Sequence, residues 1–104
     1  MDGVAALRIG VSDKRIKLLL RTPPGAPVKD LQPPVAFAIR VRFGVLSAAD
    51  NLKEVANAHP EYRVHRWKGS KLRWSVDVSG NTRLLFNYEL KSKEISDMIY
   101  DDPH

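Results

Sequence analysis

From residue 72 to residue 88 the apolar positions fall on every second residue. Leu72, Trp74, Val76 and Val78 alternate with Arg73, Ser75 and Asp77, and Thr82, Leu84, Phe86 and Tyr88 alternate with Arg83, Leu85 and Asn87. A period of two marks strands buried on one face. Ser79-Gly80-Asn81 lies between the runs and supplies residues that tolerate positive φ, so the two are predicted to pair as a hairpin with one apolar side. A weaker alternation over Val4 to Val11, with Leu7 and Ile9 against Arg8 and Gly10, predicts a short first strand. After a polar turn at Lys91-Ser92-Lys93, Glu94 to Tyr100 predicts a last strand carrying Ile95, Met98, Ile99 and Tyr100.

Between these strands the period changes. Ser12 or Asp13 stands where a helix N-cap belongs, and Ile16, Leu19 and Leu20 then share one helical face. Thr22-Pro-Pro-Gly-Ala-Pro27 stops that helix and predicts a stiff, exposed loop. Beyond Pro33-Pro34 two templates fit. Val35, Phe37, Ile39, Val41, Phe43 and Val45 alternate as in a strand, whereas Ile39, Phe43, Leu46, Ala49, Leu52 and Val55 form a helical stripe. Asp50 or Ser47 is placed to cap a second helical piece through Ala56, ended by Asn57-Ala-His-Pro60, with His59 as a loop residue. Helices first and a strand meander afterwards predict an α+β fold, with helices covering one face of an antiparallel sheet.

The chain has 104 residues, 43% of them hydrophobic, which predicts a single domain over residues 1–104 with one core. It has no cysteine, so disulfides and Cys-based zinc sites are excluded and a reducing, cytoplasmic setting is expected. No apolar run approaches the roughly 20 residues that cross a bilayer, and the first residues lack the layout of a signal peptide; no membrane is expected. Charge narrows the partners further. From Tyr62 to Arg83 there are six Lys or Arg against one acid, a net of +5 that equals the charge of the whole chain. Set against a neutral remainder, this segment predicts a polyanionic partner.

The run Val64-His-Arg-Trp-Lys-Gly69, followed by Trp74-Ser75-Val76, Thr82-Arg83-Leu84-Leu85-Phe86 and a terminal Asp-x-His, resembles the HigB-type killer toxins of the RelE-like superfamily. Those proteins show Leu-His-x-Leu-Lys-Gly, an aromatic-Ser-Ile strand, an Arg-Ile-x-Phe strand and a closing Asp-Tyr-His in this order. Ala49-x-x-Leu52-x-x-Val55 resembles their second helix, so the likeness spans roughly residues 12 to 104, the size of one domain. It favours the helical template after Pro33.

The resemblance implies the toxin of a bacterial toxin-antitoxin pair, an endoribonuclease that cuts messenger RNA on the ribosome and is silenced by a cognate antitoxin protein. Cutting RNA without a metal or other cofactor needs a base for the 2′-hydroxyl, cationic donors for the phosphorane oxygens and an acid for the leaving oxygen. By the motifs, His65, Arg83, Asp102 and His104 are the expected catalytic residues, with Arg83 as the transition-state clamp. Lys68 matches a basic position, and Arg63, Arg66, Lys71 and Arg73 complete the expected RNA-binding set. Trp67 and Trp74 are expected as core or edge-packing residues, and Asp101 as part of a solvated terminus offering no metal geometry. Pro103 departs from the pattern by standing where the family has tyrosine, and Tyr100 is not expected to replace it. A catalytically weakened RNA or ribosome binder on the same scaffold is therefore the alternative, and a ParE-type gyrase inhibitor a more distant one.

Overall fold

The computed structural model of the chain describes residues 6–103. Along it run β1 (Arg8–Val11), α1 (Lys14–Arg21), α2 (Pro33–Ala48), α3 (Leu52–Ala58), a 3-10 turn at Pro60–Tyr62, β2 (His65–Arg66), β3 (Arg73–Asp77), β4 (Arg83–Glu89) and β5 (Glu94–Asp101). The architecture is α+β, and the strands form one sheet in the order β1-β5-β4-β3-β2. From β2 to β5 the pairing is antiparallel, but β1 runs parallel to β5, so the sheet is mixed where an antiparallel one was expected. The meander leaves one edge of β5 open, and the entering chain closes it: Arg8 N donates to Lys93 O, and Ser12 N and Asp13 N both donate to Met98 O. The expected strand residues Val4 and Ala5 lie outside the described residues.

The hairpin forms as its alternation predicts. Trp74 pairs with Phe86, Ser75 with Leu85, Val76 with Leu84 and Asp77 with Arg83. Val76, Leu84, Phe86 and Tyr88 therefore enter the core together with Ile16, Leu19, Ile39, Leu46, Leu52 and Val55 from the helices. Its turn differs from expectation in one respect. Val78 N and Ser79 N both donate to Thr82 O, and none of Ser79, Gly80 and Asn81 takes a positive φ.

In β5 the simple alternation breaks. Leu85 pairs with Ile99 but Asn87 pairs with Ser96, so one extra residue is inserted on β5, where Asp97 adopts a left-handed φ of 54°. This bulge resets the strand so that Ile95, Met98 and Tyr100 all reach the core.

The long apolar run is a helix, opened by Pro33 and Pro34 in its first turn. It stops at Ala48, because Ala49 turns extended and its carbonyl accepts from Leu7 N at 3.0 Å. The cap of α3 is Asn51, which accepts from Glu54 N at 2.8 Å; neither Asp50 nor Ser47 serves, and the Ser47 hydroxyl donates to Gly44 O inside α2. On α1, Ile16 and Leu19 are buried while Leu20 stays exposed, so the buried arc is narrower than its spacing suggested.

Asp13 ties the helical layer to the sheet. Its side chain is only 8% exposed, caps α1 by accepting from Arg15 N at 2.8 Å, and accepts from Tyr100 N on β5 at 3.0 Å. Arg15 neutralises it at 2.9 Å and donates onward to Tyr100 O at 2.8 Å. Burial alone would raise the Asp13 carboxyl, yet the bonds from Arg15 and Tyr100 outweigh it and hold the carboxyl below the usual carboxylate range. Because its pKa is depressed in the folded state, this carboxylate stabilises the fold fully above the unfolded value, and that stability is lost as the pH falls through the folded one. Asp13→Ala should cost about 2–3 kcal/mol, a lost cap plus a lost charge-assisted bond, measured by urea unfolding at neutral pH. The gap to wild type should shrink on acidification below the carboxylate range.

Candidate nucleic-acid interface

The sheet face turned away from the helical core holds His65, Arg73 and Arg83 of the expected site. Register aligns His65 with Ser75, Ser75 with Leu85 and Leu85 with Ile99, and beside that row aligns Asp77, Arg83 and Asp101. Trp67 follows two residues after His65 and so returns to the same face, with its backbone N–H donating to Arg73 O at 2.7 Å. Its ring centroid lies 5.0 Å from the Arg83 guanidinium carbon and 6.5 Å from the His65 ring.

That contact spans the sheet diagonally. Trp67 stands opposite Arg73 and Arg83 opposite Asp77, positions roughly 13 Å apart along β3, so the two side chains meet only by leaning over the middle of the face. Ser75 and Leu85 occupy that middle, and they are 0% and 7% exposed. Leu85 does not belong to the helix-side core, so its burial arises on this outer face. Ser75, its partner in register, is buried too, and its Oγ has no hydrogen-bond partner among the described residues.

His65 is exposed and oriented by its own backbone. Its Nδ1 lies 2.6 Å from the carbonyl oxygen of Arg63, a residue in the left-handed conformation at φ 49°. A carbonyl only accepts, so Nδ1 carries the proton and Nε2 of the neutral ring keeps its lone pair. This is the arrangement of a base.

The cations around it are less available than the segment charge suggested. Arg83 donates to Asp101 at 2.8 Å, Arg73 to Asp97 at 3.0 Å, and Arg63 sits 3.6 Å from Asp77. Hydrogen bonds from Ser12 and then from Arg73 hold the Asp97 carboxyl below its usual range. Lys68 and Lys71, exposed between β2 and β3, make no ion pair among the described residues and remain open to an anion. Arg66 points the other way, over the Trp74 ring at 5.7 Å on the helix side.

Two expected catalytic residues are not part of this cluster as described. The charge of Asp102 acts on Arg15 of α1, whereas the acid beside Arg83 is Asp101. His104 lies outside the described residues. Tyr100 is buried in the core under the Arg15 guanidinium and offers no ring to the outer face in place of the one absent at Pro103. Conversely, Trp67 and Asp101, expected as packing and solvated tail, are direct neighbours of Arg83. The signal for Trp67 was its parity with His65. For Asp101 there was no signal short of the register between β4 and β5.

The neutral remainder of the chain also conceals a split. Residues 14–48 carry seven Lys or Arg against one Asp, while residues 84–104 carry two Lys against five acids. Folding lays part of that acidic C-terminal stretch onto the basic hairpin, which is how Arg73 and Arg83 acquire their partners.

Nitrogen-15 spectra of the neutral imidazole should show His65 as the Nδ1–H tautomer. A protonated Nε2 in the neutral form would contradict its orientation by Arg63. No family model matches the chain, and no curated protein matches it.

Proposed function

We propose that the outer sheet face binds a single RNA strand and cleaves it without a metal, acting as the toxin of a toxin-antitoxin pair on ribosome-held messages. One observation carries the reading. An imidazole with a free acceptor nitrogen and a guanidinium flank the same exposed-face tryptophan, bringing base, anion donor and stacking platform within one nucleotide's reach. In this account His65 Nε2 takes the proton of the 2′-hydroxyl, O2′ bonds to phosphorus, and the bond to the 5′-oxygen breaks. The products are a 2′,3′-cyclic phosphate and a 5′-hydroxyl end. Arg83 holds the non-bridging oxygens while their charge grows. Lys68 and Lys71 draw in the backbone. In this account the proton for the 5′-oxygen comes from water or from the ribosomal surface. A cognate antitoxin would silence the protein by keeping this face from the message.

A specific feature favours a second reading. Asp101 already occupies one donor of Arg83, as it would in a face that binds RNA without cutting it. The two readings separate on cleavage. Primer extension on messages from induced cells should give new 5′ ends with wild type, and His65→Ala should reduce them by about 10²–10⁴-fold with the far-UV spectrum unchanged. If wild type makes no new ends, the binding-only account replaces the nuclease. Asp101→Asn should release Arg83 and tighten binding to a short RNA at low salt by about fivefold, roughly 1 kcal/mol. An unchanged or weaker affinity would remove Arg83 from the RNA-binding face.

A further inference from the structure

We propose that α2 and the proline-rich loop before it form a docking groove for an acidic amphipathic helix of a partner protein. The inference stands apart from the RNA reading and concerns the helical layer on the other side of the sheet.

Helix α2 has apolar residues on nearly every side, a composition suited to a helix buried all round. It is not buried all round. Phe37 is 69% exposed, and Val41, one turn further along the same stripe, is exposed as well. Beside Phe37 lies a groove of about 350 Å³ walled by Pro24, Pro27, Val28, Leu31 and Ala36. A concave apolar slot of this size takes one or two large side chains from a partner helix.

Charge selects the partner. The two cations of α2 are spent on the protein itself: Arg40 donates to Thr22 O at 2.7 Å, and Arg42 donates to Asp77 O at 2.6 Å while stacking on Tyr62. Lys14, Lys17 and Arg21 on α1 and Lys29 on the loop are exposed, and none makes an ion pair among the described residues. Neither α1 nor α2 contains an acid, and Asp30 beside Lys29 is the one acid against seven Lys or Arg over residues 14–48, so the balance stays positive. A second copy of the chain would therefore bring two unmatched basic rims together, while a helix with Asp and Glu flanking an apolar stripe would satisfy both the groove and its rim.

The test is selection of displayed random 16-residue peptides on the full chain at low salt. Enriched sequences should carry apolar residues at i, i+3 or i+4 and i+7 with an excess of Asp and Glu, and their affinity should fall as salt rises. Phe37→Glu, a change at an exposed position, should weaken them by at least about tenfold without altering the far-UV spectrum. Arg21→Glu combined with Lys29→Glu should weaken them and flatten the salt dependence. No enrichment, enrichment of neutral or basic peptides, or unaltered binding to Phe37→Glu would overturn the proposal. So would a wild-type dimer dissolved by Phe37→Glu, or retention on anionic phospholipid vesicles that the selected peptides fail to compete.

Discussion

The pairing of β3 with β4 is the constraint from which the rest follows. Leu84, Phe86 and Val76 are completely buried against the helices, and slipping this pair by one residue would turn all three out to solvent. The core therefore locks the register. Once it is locked, Arg73, Asp77 and Arg83 must stand on the opposite face, whatever their chemistry, together with Leu85 and Ser75. Position of the candidate site is thus a by-product of apolar burial. Its cations are held there by hydrophobic residues one step away in sequence.

The neighbouring strand decides what those cations can do. Asp13 grips Tyr100 N, which fixes the end of β5, and the next residue, Asp101, is the acid that meets Arg83. The bulge earlier in β5 releases Asp97 toward Arg73. Both acids lower the net charge of the face without removing the arginines, so the face is ion-paired on either side of Ser75 and Leu85 and positive mainly at the Lys68–Lys71 loop. A phosphate entering it must compete with carboxylates, which favours well-placed strands over loose electrostatic binding. The unmatched positive charge gathers instead on the helical layer, around α1 and the proline-rich loop. One small domain therefore presents two basic surfaces of different character, one aromatic and ion-paired, the other apolar and open.

Much of the fold could be read from periodicity alone, because burial leaves its period in the residues. The hairpin and α1 follow directly from alternation and capping, with Asp13 as the cap, and the last strand from its apolar residues after a polar turn. The stretch after Pro33 fitted two periods at once, since an apolar residue at almost every position satisfies any template. The helical stripe and the prolines of a first turn suited a helix, and the resemblance tipped the choice. Features made by residues far apart in the chain were not legible. The parallel edge between β1 and β5, the left-handed Asp97 and the pairing of Arg83 with Asp101 all arise from chain return, which no local pattern encodes. Segment charge misled for the same reason. The balance over residues 62–83 counted Arg73 and Arg83 but not the acids that folding brings to them from residues 84–104. His65 and Arg83 were legible as candidates by motif, yet the residue joining them, Trp67, was assigned to packing because an indole just past a strand end carries no mark of the face it serves.

The most direct measurement is a chemical-shift map of the protein titrated with a short RNA whose ribose at the cleavage position lacks its 2′-hydroxyl, so that binding occurs without reaction. The account predicts that shifts concentrate on the His65 ring, the Trp67 indole N–H and the Arg83 side chain, with the amides of Lys68 to Lys71 following. Shifts gathered on α1 and α2, with the indole of Trp67 unmoved, would contradict it.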